Sequence, residues 1–219
     1  MSSSAYASSL ELVSGVVLVC AVVTLWRRSL SAIVKALAVQ GLALGAVALI
    51  LGVDQGDGVL IAVGCLVVIA KGLVIPALLG RVVAGDPDSR ETAPIVNVPA
   101  SLVAAGALTF LAYGATGPVV ALIPTTAGRL IPLGFATLLI GFFVMAARRK
   151  AVSQIVGLLL VDNGIALVAF LATAGVPLLV ELGASLDVLL AVVVLRVLAA
   201  QMTSKFGVLD LDQLRELHD

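Results

Sequence analysis

The chain has 219 residues, 61% of them hydrophobic and only 12% charged, with a mean hydropathy of +1.22. Soluble domains are roughly half apolar and a quarter charged, so this composition is that of an integral membrane protein. Thirteen basic residues balance thirteen acidic ones, so no net field gathers nucleic acid or an acidic surface. Cys20 and Cys65 lie in separate apolar runs and His218 is the single histidine, which leaves iron–sulfur, zinc and haem ligation without a ligand set. No cofactor, metal or catalytic residue is expected within the chain.

The amino end, "MSSSAYASSLELV", has no basic region ahead of its first apolar segment and reads as the start of a retained helix, not a cleaved signal peptide. Runs long enough to span a bilayer as helices, about 20 apolar residues each, are predicted at 10–26, 32–52, 58–80, 97–115, 129–147, 152–174 and 177–200. None alternates apolar with polar residues as a barrel strand would. The predicted fold is therefore all-α, with seven transmembrane helices. "AGDPDSRETAP" at 84–94 reads as a charged turn, and residues 116–128, rich in proline and glycine, as an outer loop dipping into the membrane. Alternate loops carry Arg27 and Arg28, Arg81 and Arg90, Arg148, Arg149 and Lys150, then Lys205 and Arg215, whereas the opposite loops hold only Arg129. By the positive-inside rule the N-terminus lies outside and the C-terminus in the cytoplasm, as in a multi-pass protein of the plasma (inner) membrane.

"LWRRSLSAIVKALAVQGLALGAVALI" from Leu25 is similar to "AARRKAVSQIVGLLLVDNGIALVAF" from Ala146. Each has one apolar run before it and another after it, which predicts a 3+1+3 arrangement with a parallel internal repeat. The units are 1–83, a three-helix unit; 84–128, the turn, the fourth helix and the outer loop; 129–203, a second three-helix unit; and a cytoplasmic tail, 204–219. Within the tail, "VLDLDQLRELHD" is expected to form a short amphipathic helix that docks on a peripheral subunit or lies on lipid.

Three ionisable residues interrupt the apolar spans. Asp162 and Asp187 each lie about ten residues into a predicted helix, roughly 15 Å deep, and Lys71 lies at similar depth. Each costs about 2.5–3.5 kcal/mol at a helix centre, so all three are expected to face the protein interior. One reading is structural: Lys71 pairs with an aspartate to set helix register, or a protonated aspartate bonds a neighbouring helix. The other is a proton relay, because burial disfavours a charged carboxyl while a nearby ammonium favours it. In that reading Asp162 is mostly protonated and faces Asp187, with water or Asn163 bridging and one proton shared. Gln40 is its neutral counterpart in the first copy of the repeat. Gly157 and Gly164, seven residues apart on one face, are expected to permit close helix approach, while Glu11, Glu181 and Arg196 sit near helix ends.

The stretches "ARRKAVSQIVGLLLVDNGIALVAF", "PLLVELGASLDVLLAVVVL", "FGVLDLDQLREL" and "KGLVIPALLGRVV" resemble the hydrogenase-4 component E family, the membrane subunit of formate-hydrogenlyase-type group 4 hydrogenases. The last three helices are also similar to the K-type subunit of NADH-quinone oxidoreductase and to the C subunit of multi-subunit cation/proton antiporters. The resemblance implies a non-redox subunit of an oxidoreductase complex. It would handle protons beside antiporter-like and quinone-site-type membrane subunits, with redox chemistry in a peripheral hydrogenase-like module. It matches Asp187 to the acid of the second K-type helix. The other K-type glutamate aligns with Leu159, one turn before Asp162, where component E tends to carry glutamate. Two other readings are a cation/proton antiporter subunit or autonomous ion transporter, and a purely structural assembly subunit.

Overall fold

A computed structural model describes residues 3–84, 96–148 and 151–172. The predicted seventh run, with Asp187, and the tail lie outside the described residues. Among those described, every regular element is helical: α1 (Ser3–Trp26), α2 (Leu30–Gln55), α3 (Gly58–Val67), a π-helical segment (Val68–Val74), α4 (Ile75–Ala84), α5 (Val98–Leu122), a 3₁₀ turn (Gly128–Leu130), α6 (Ile131–Ala147) and α7 (Ala151–Ala172). Among the described residues, six helical stretches are long and apolar enough to cross a membrane; α3, the π segment and most of α4 form one of them, Gly58–Arg81.

Local chemistry explains the turns. Gly56 takes the left-handed conformation (φ 68°) that ends α2 and sends its N–H to the Gly52 carbonyl, a position where a Cβ is penalised. Asp57 then caps α3, its carboxylate accepting from the N–H groups of Val59 and Leu60. Asn97 caps α5 by accepting from Ala100 N, with Pro99 in the first turn, where no N–H is needed.

The predicted outer loop at 116–128 is corrected. Helix α5 continues through Pro118 to Leu122, and the irregular stretch is only 123–127. Proline weakens a helix in water, but in hydrocarbon an opened backbone has nothing else to bond to, so the helix persists through it.

The helices α2 and α7 are central. Helix α2 touches α1, α3, the π segment, α4 and α7, and α7 packs most extensively on α6. The α6–α7 contact is an antiparallel run of paired glycines. A Cβ on Gly134 would fall 3.1 Å from the Gly164 carbonyl oxygen, and one on Gly141 would fall 3.0 Å from that of Gly157. Backbone therefore lies on backbone, as the seven-residue spacing of Gly157 and Gly164 leads one to expect. Helix α5 is peripheral, with Phe110 and Leu122 among its exposed side chains.

The buried apolar residues fall into two clusters. One gathers Leu25, Leu30, Leu37, Ile75, Leu79, Val144 and Leu160 at the arginine-bearing end. The other gathers Leu10, Leu44, Leu51, Val67, Ile131, Leu167 and Leu171 at the opposite end. Along each central helix the boundary falls at a polar residue: Gln40 between Leu37 and Leu44, Lys71 between Val67 and Ile75, and Asp162 with Asn163 between Leu160 and Leu167.

Candidate functional site

That boundary is a polar layer lying across the molecule, halfway along the helices. Lys71 Nζ donates to Asp162 Oδ2 at 2.5 Å, and both side chains are 6% exposed. Beside Asp162, Asn163 Nδ2 donates to Gln40 Oε1 at 2.9 Å, and Gln40 Nε2 donates to the Val17 carbonyl on α1 at 2.9 Å. Four of the polar residues singled out from the sequence are thus brought together, and Asp187 lies outside the described residues. Lys71 is paired with an aspartate, a contact that both the structural and the relay readings contain. Gln40 meets the α7 helix directly through Asn163.

Lys71 reaches Asp162 from an unusual backbone. It is the central residue of the π segment, whose wide turn is closed by the Ile75 N–H bonding back to the Ala70 carbonyl. Wide turns of this kind are rare and cluster at functional sites. Pro76 follows, and a proline ring clashes with the carbonyl four residues back in a regular helix, so the extra residue ahead of it relieves that clash. The turn rests on Gly41, next to Gln40, where an added Cβ would collide with the Lys71 carbonyl. The sequence signals for this seat, a glycine beside Gln40 and a proline five residues after Lys71, have meaning only once α2 and the π segment are known to touch.

Among known proteins, the chain is 47% identical over 220 residues to the uncharacterized protein Rv0085 of Mycobacterium tuberculosis, covering 100% of both chains. The chain belongs to the family of that mycobacterial protein. It is also distantly similar to hydrogenase-4 component E of Escherichia coli K12 and of Shigella flexneri, at 26% identity over 149 residues, 68% of this chain and 69% of each of those proteins. No family model matches the chain, and no solved structure matches it significantly.

Within this family member the layer can hold charge because its charges are paired. An isolated ion at this depth is costly, and a buried ion pair offsets that cost only with close geometry and further hydrogen bonds. The amide chain through Asn163 and Gln40 anchors the α7 side of the pair to α2 and α1. Replacing Gln40 by Leu is expected to strand the buried Asn163 amide and to cost about 1–3 kcal/mol. Thermal unfolding in detergent measures this, and the isosteric Gln40→Glu variant separates loss of shape from loss of the donor to Val17.

One further buried cation was read differently from the sequence. Arg148, expected among the loop charges, is 5% exposed, and its Nη2 donates to the carbonyls of Thr24 at 3.1 Å, Leu25 at 3.0 Å and Arg27 at 3.4 Å. A guanidinium at the last carbonyls of α1 complements both the orphaned acceptors and the helix dipole. Arg148→Gln is expected to lower stability by about 1.5–3 kcal/mol, the range for hydrogen bonds to a charged group. Arg148→Lys should recover only part of it, because an ammonium cannot reproduce the planar fork. Denaturant unfolding of the two variants beside the parent checks both statements.

Proposed function

We propose that the chain is a membrane-arm subunit of a group 4 hydrogenase or complex-I-like complex, coupling redox chemistry in partner subunits to translocation of protons or another cation through buried carboxylates. The observation that carries this reading is the Lys71–Asp162 pair, set in a polar layer between two apolar halves. The distant similarity to hydrogenase-4 component E supplies the kind of complex. In this reading Asp162 releases its proton as the Lys71 ammonium approaches and holds one as it withdraws, and Asp187 is the next acid along the path. Asn163 and Gln40 orient the pair. Amides exchange protons poorly, so the path does not run through Asn163 and Gln40 to α1.

Purification of the tagged chain from its native membranes tests the assembly. A hydrogenase-like large subunit and antiporter-like subunits should come with it, and a stable solitary monomer would overturn the reading. A structural role for the pair is the second reading, favoured by the directness of the contact and its enclosure between apolar clusters, since such pairs also set helix register.

A further inference from the structure

The π segment carries an inference about how Lys71 moves. A π turn is an α-helix holding one extra residue, and that residue can be passed along the chain by exchanging one set of backbone bonds for the next. Each passage turns the residue concerned by about 100° around the helix axis, the step of a helix with 3.6 residues per turn. Pro76 stops the extra residue on one side, because the wide turn ahead of it relieves the ring's clash with the Gly72 carbonyl. Passage is therefore directed back through Val68–Val74, with Lys71 at its middle. The seat is close at this point: Gly41 lies against the Lys71 backbone, and Gly72 lies against the Leu42 side chain, so that a Cβ on Gly72 would fall 2.6 Å from Leu42 Cδ2. No large side chain at Gly41 or Gly72 locks the turn in one register.

We propose that Val68–Val74 is a sliding turn that swings the Lys71 ammonium onto and off Asp162, with Gly41 and Pro76 as the positioning residues that seat and stop it. The use of this motion rests on the function proposed above. Stranding two opposite charges in the layer is unfavourable, so separation accompanies proton transfer. The N–H bond at Lys71 Nζ breaks as an O–H bond forms at Asp162 Oδ2, leaving a neutral amine and a neutral acid. Return reverses both changes.

Two single-residue deletions test this in the full-length chain reconstituted in nanodiscs. Deleting Ile69 or Leu73, which are 53% and 56% exposed, removes the extra residue without taking a side chain from the core. The first puts Lys71 in the register of α4 and the second in the register of α3, about 100° apart. The readout is the infrared C=O stretch of protonated Asp162, assigned by its loss in Asp162→Asn. The parent should show a partial band, one deletion a full band and the other none. The same band in all three would overturn the sliding turn. Should a deletion fail to fold, Gly41→Ala and Pro76→Ala give the same readout: each should shift the parent band, and two unshifted bands would overturn the proposal. The band is read without partner subunits, so its outcome is independent of whether a hydrogenase-like complex is recovered.

Discussion

Replacing Lys71 by Met while Asp162 remains is expected to destabilise the protein by about 3–5 kcal/mol, the usual cost of removing one partner from a buried ion pair. The carboxylate loses an ammonium 2.5 Å away in a layer closed above and below by apolar clusters. Adding Asp162→Asn should restore most of that loss, because two neutral groups no longer leave a charge without its counterpart. The double-mutant cycle, read by unfolding in detergent, measures the coupling between the two residues. The same double variant separates the two roles. If the pair only sets register, a folded Lys71→Met, Asp162→Asn protein keeps the proton coupling of its complex. If the pair is a relay, coupling is lost although the fold is recovered.

Gly164→Val is expected to cost about 1–3 kcal/mol or more through overpacking. A Cβ there would fall 2.5 Å from the Leu138 backbone nitrogen and 2.8 Å from the Gly134 carbonyl oxygen. Both are backbone atoms, so no rotamer change relieves the clash and α6 must separate from α7. Gly106 on α5 is the opposite case, with nothing within 4 Å of an added Cβ. Gly106→Ala should stabilise by about 0.5–1 kcal/mol, since alanine is the better helix former. Thermal unfolding of the two variants in one detergent gives both signs. Gly164 lies two residues after Asp162 on the same helix, so the valine variant should also disturb the Lys71 contact, which the infrared band of Asp162 reports.

The six helical spans found among the described residues follow the apolar runs to within a few residues, except that the first begins at Ser4, six residues before the predicted start at 10, and α5 extends seven residues past the predicted end at 115. They are legible because a bilayer accepts few backbone solutions, and length with hydropathy is enough to locate helices. That Lys71 and Asp162 lie near the middle of their helices was legible for the same reason, being a matter of counting residues along a span. The continuation of α5 through Pro118 was not, because a proline-and-glycine stretch carries the same local signal whether it ends a helix in water or continues one in hydrocarbon. Arg148 was read as a loop charge because nothing local to it announces the carbonyls of Thr24 and Leu25, more than a hundred residues earlier, that it bonds.

From local residues alone, then, it follows that this is a helical chain with spans apolar enough to cross a membrane and with charges inside those spans that require partners, since the energetics of the bilayer penalise an isolated ion in an apolar span. Only the tertiary structure decided which partners meet. Asp162 goes to Lys71 and Asn163 to Gln40 because of how each helix is rotated about its own axis. That rotation is set by glycine contacts between α2 and the π segment and between α6 and α7, and by one wide turn ahead of Pro76. These are contacts between distant parts of the chain, and no local pattern of residues encodes them.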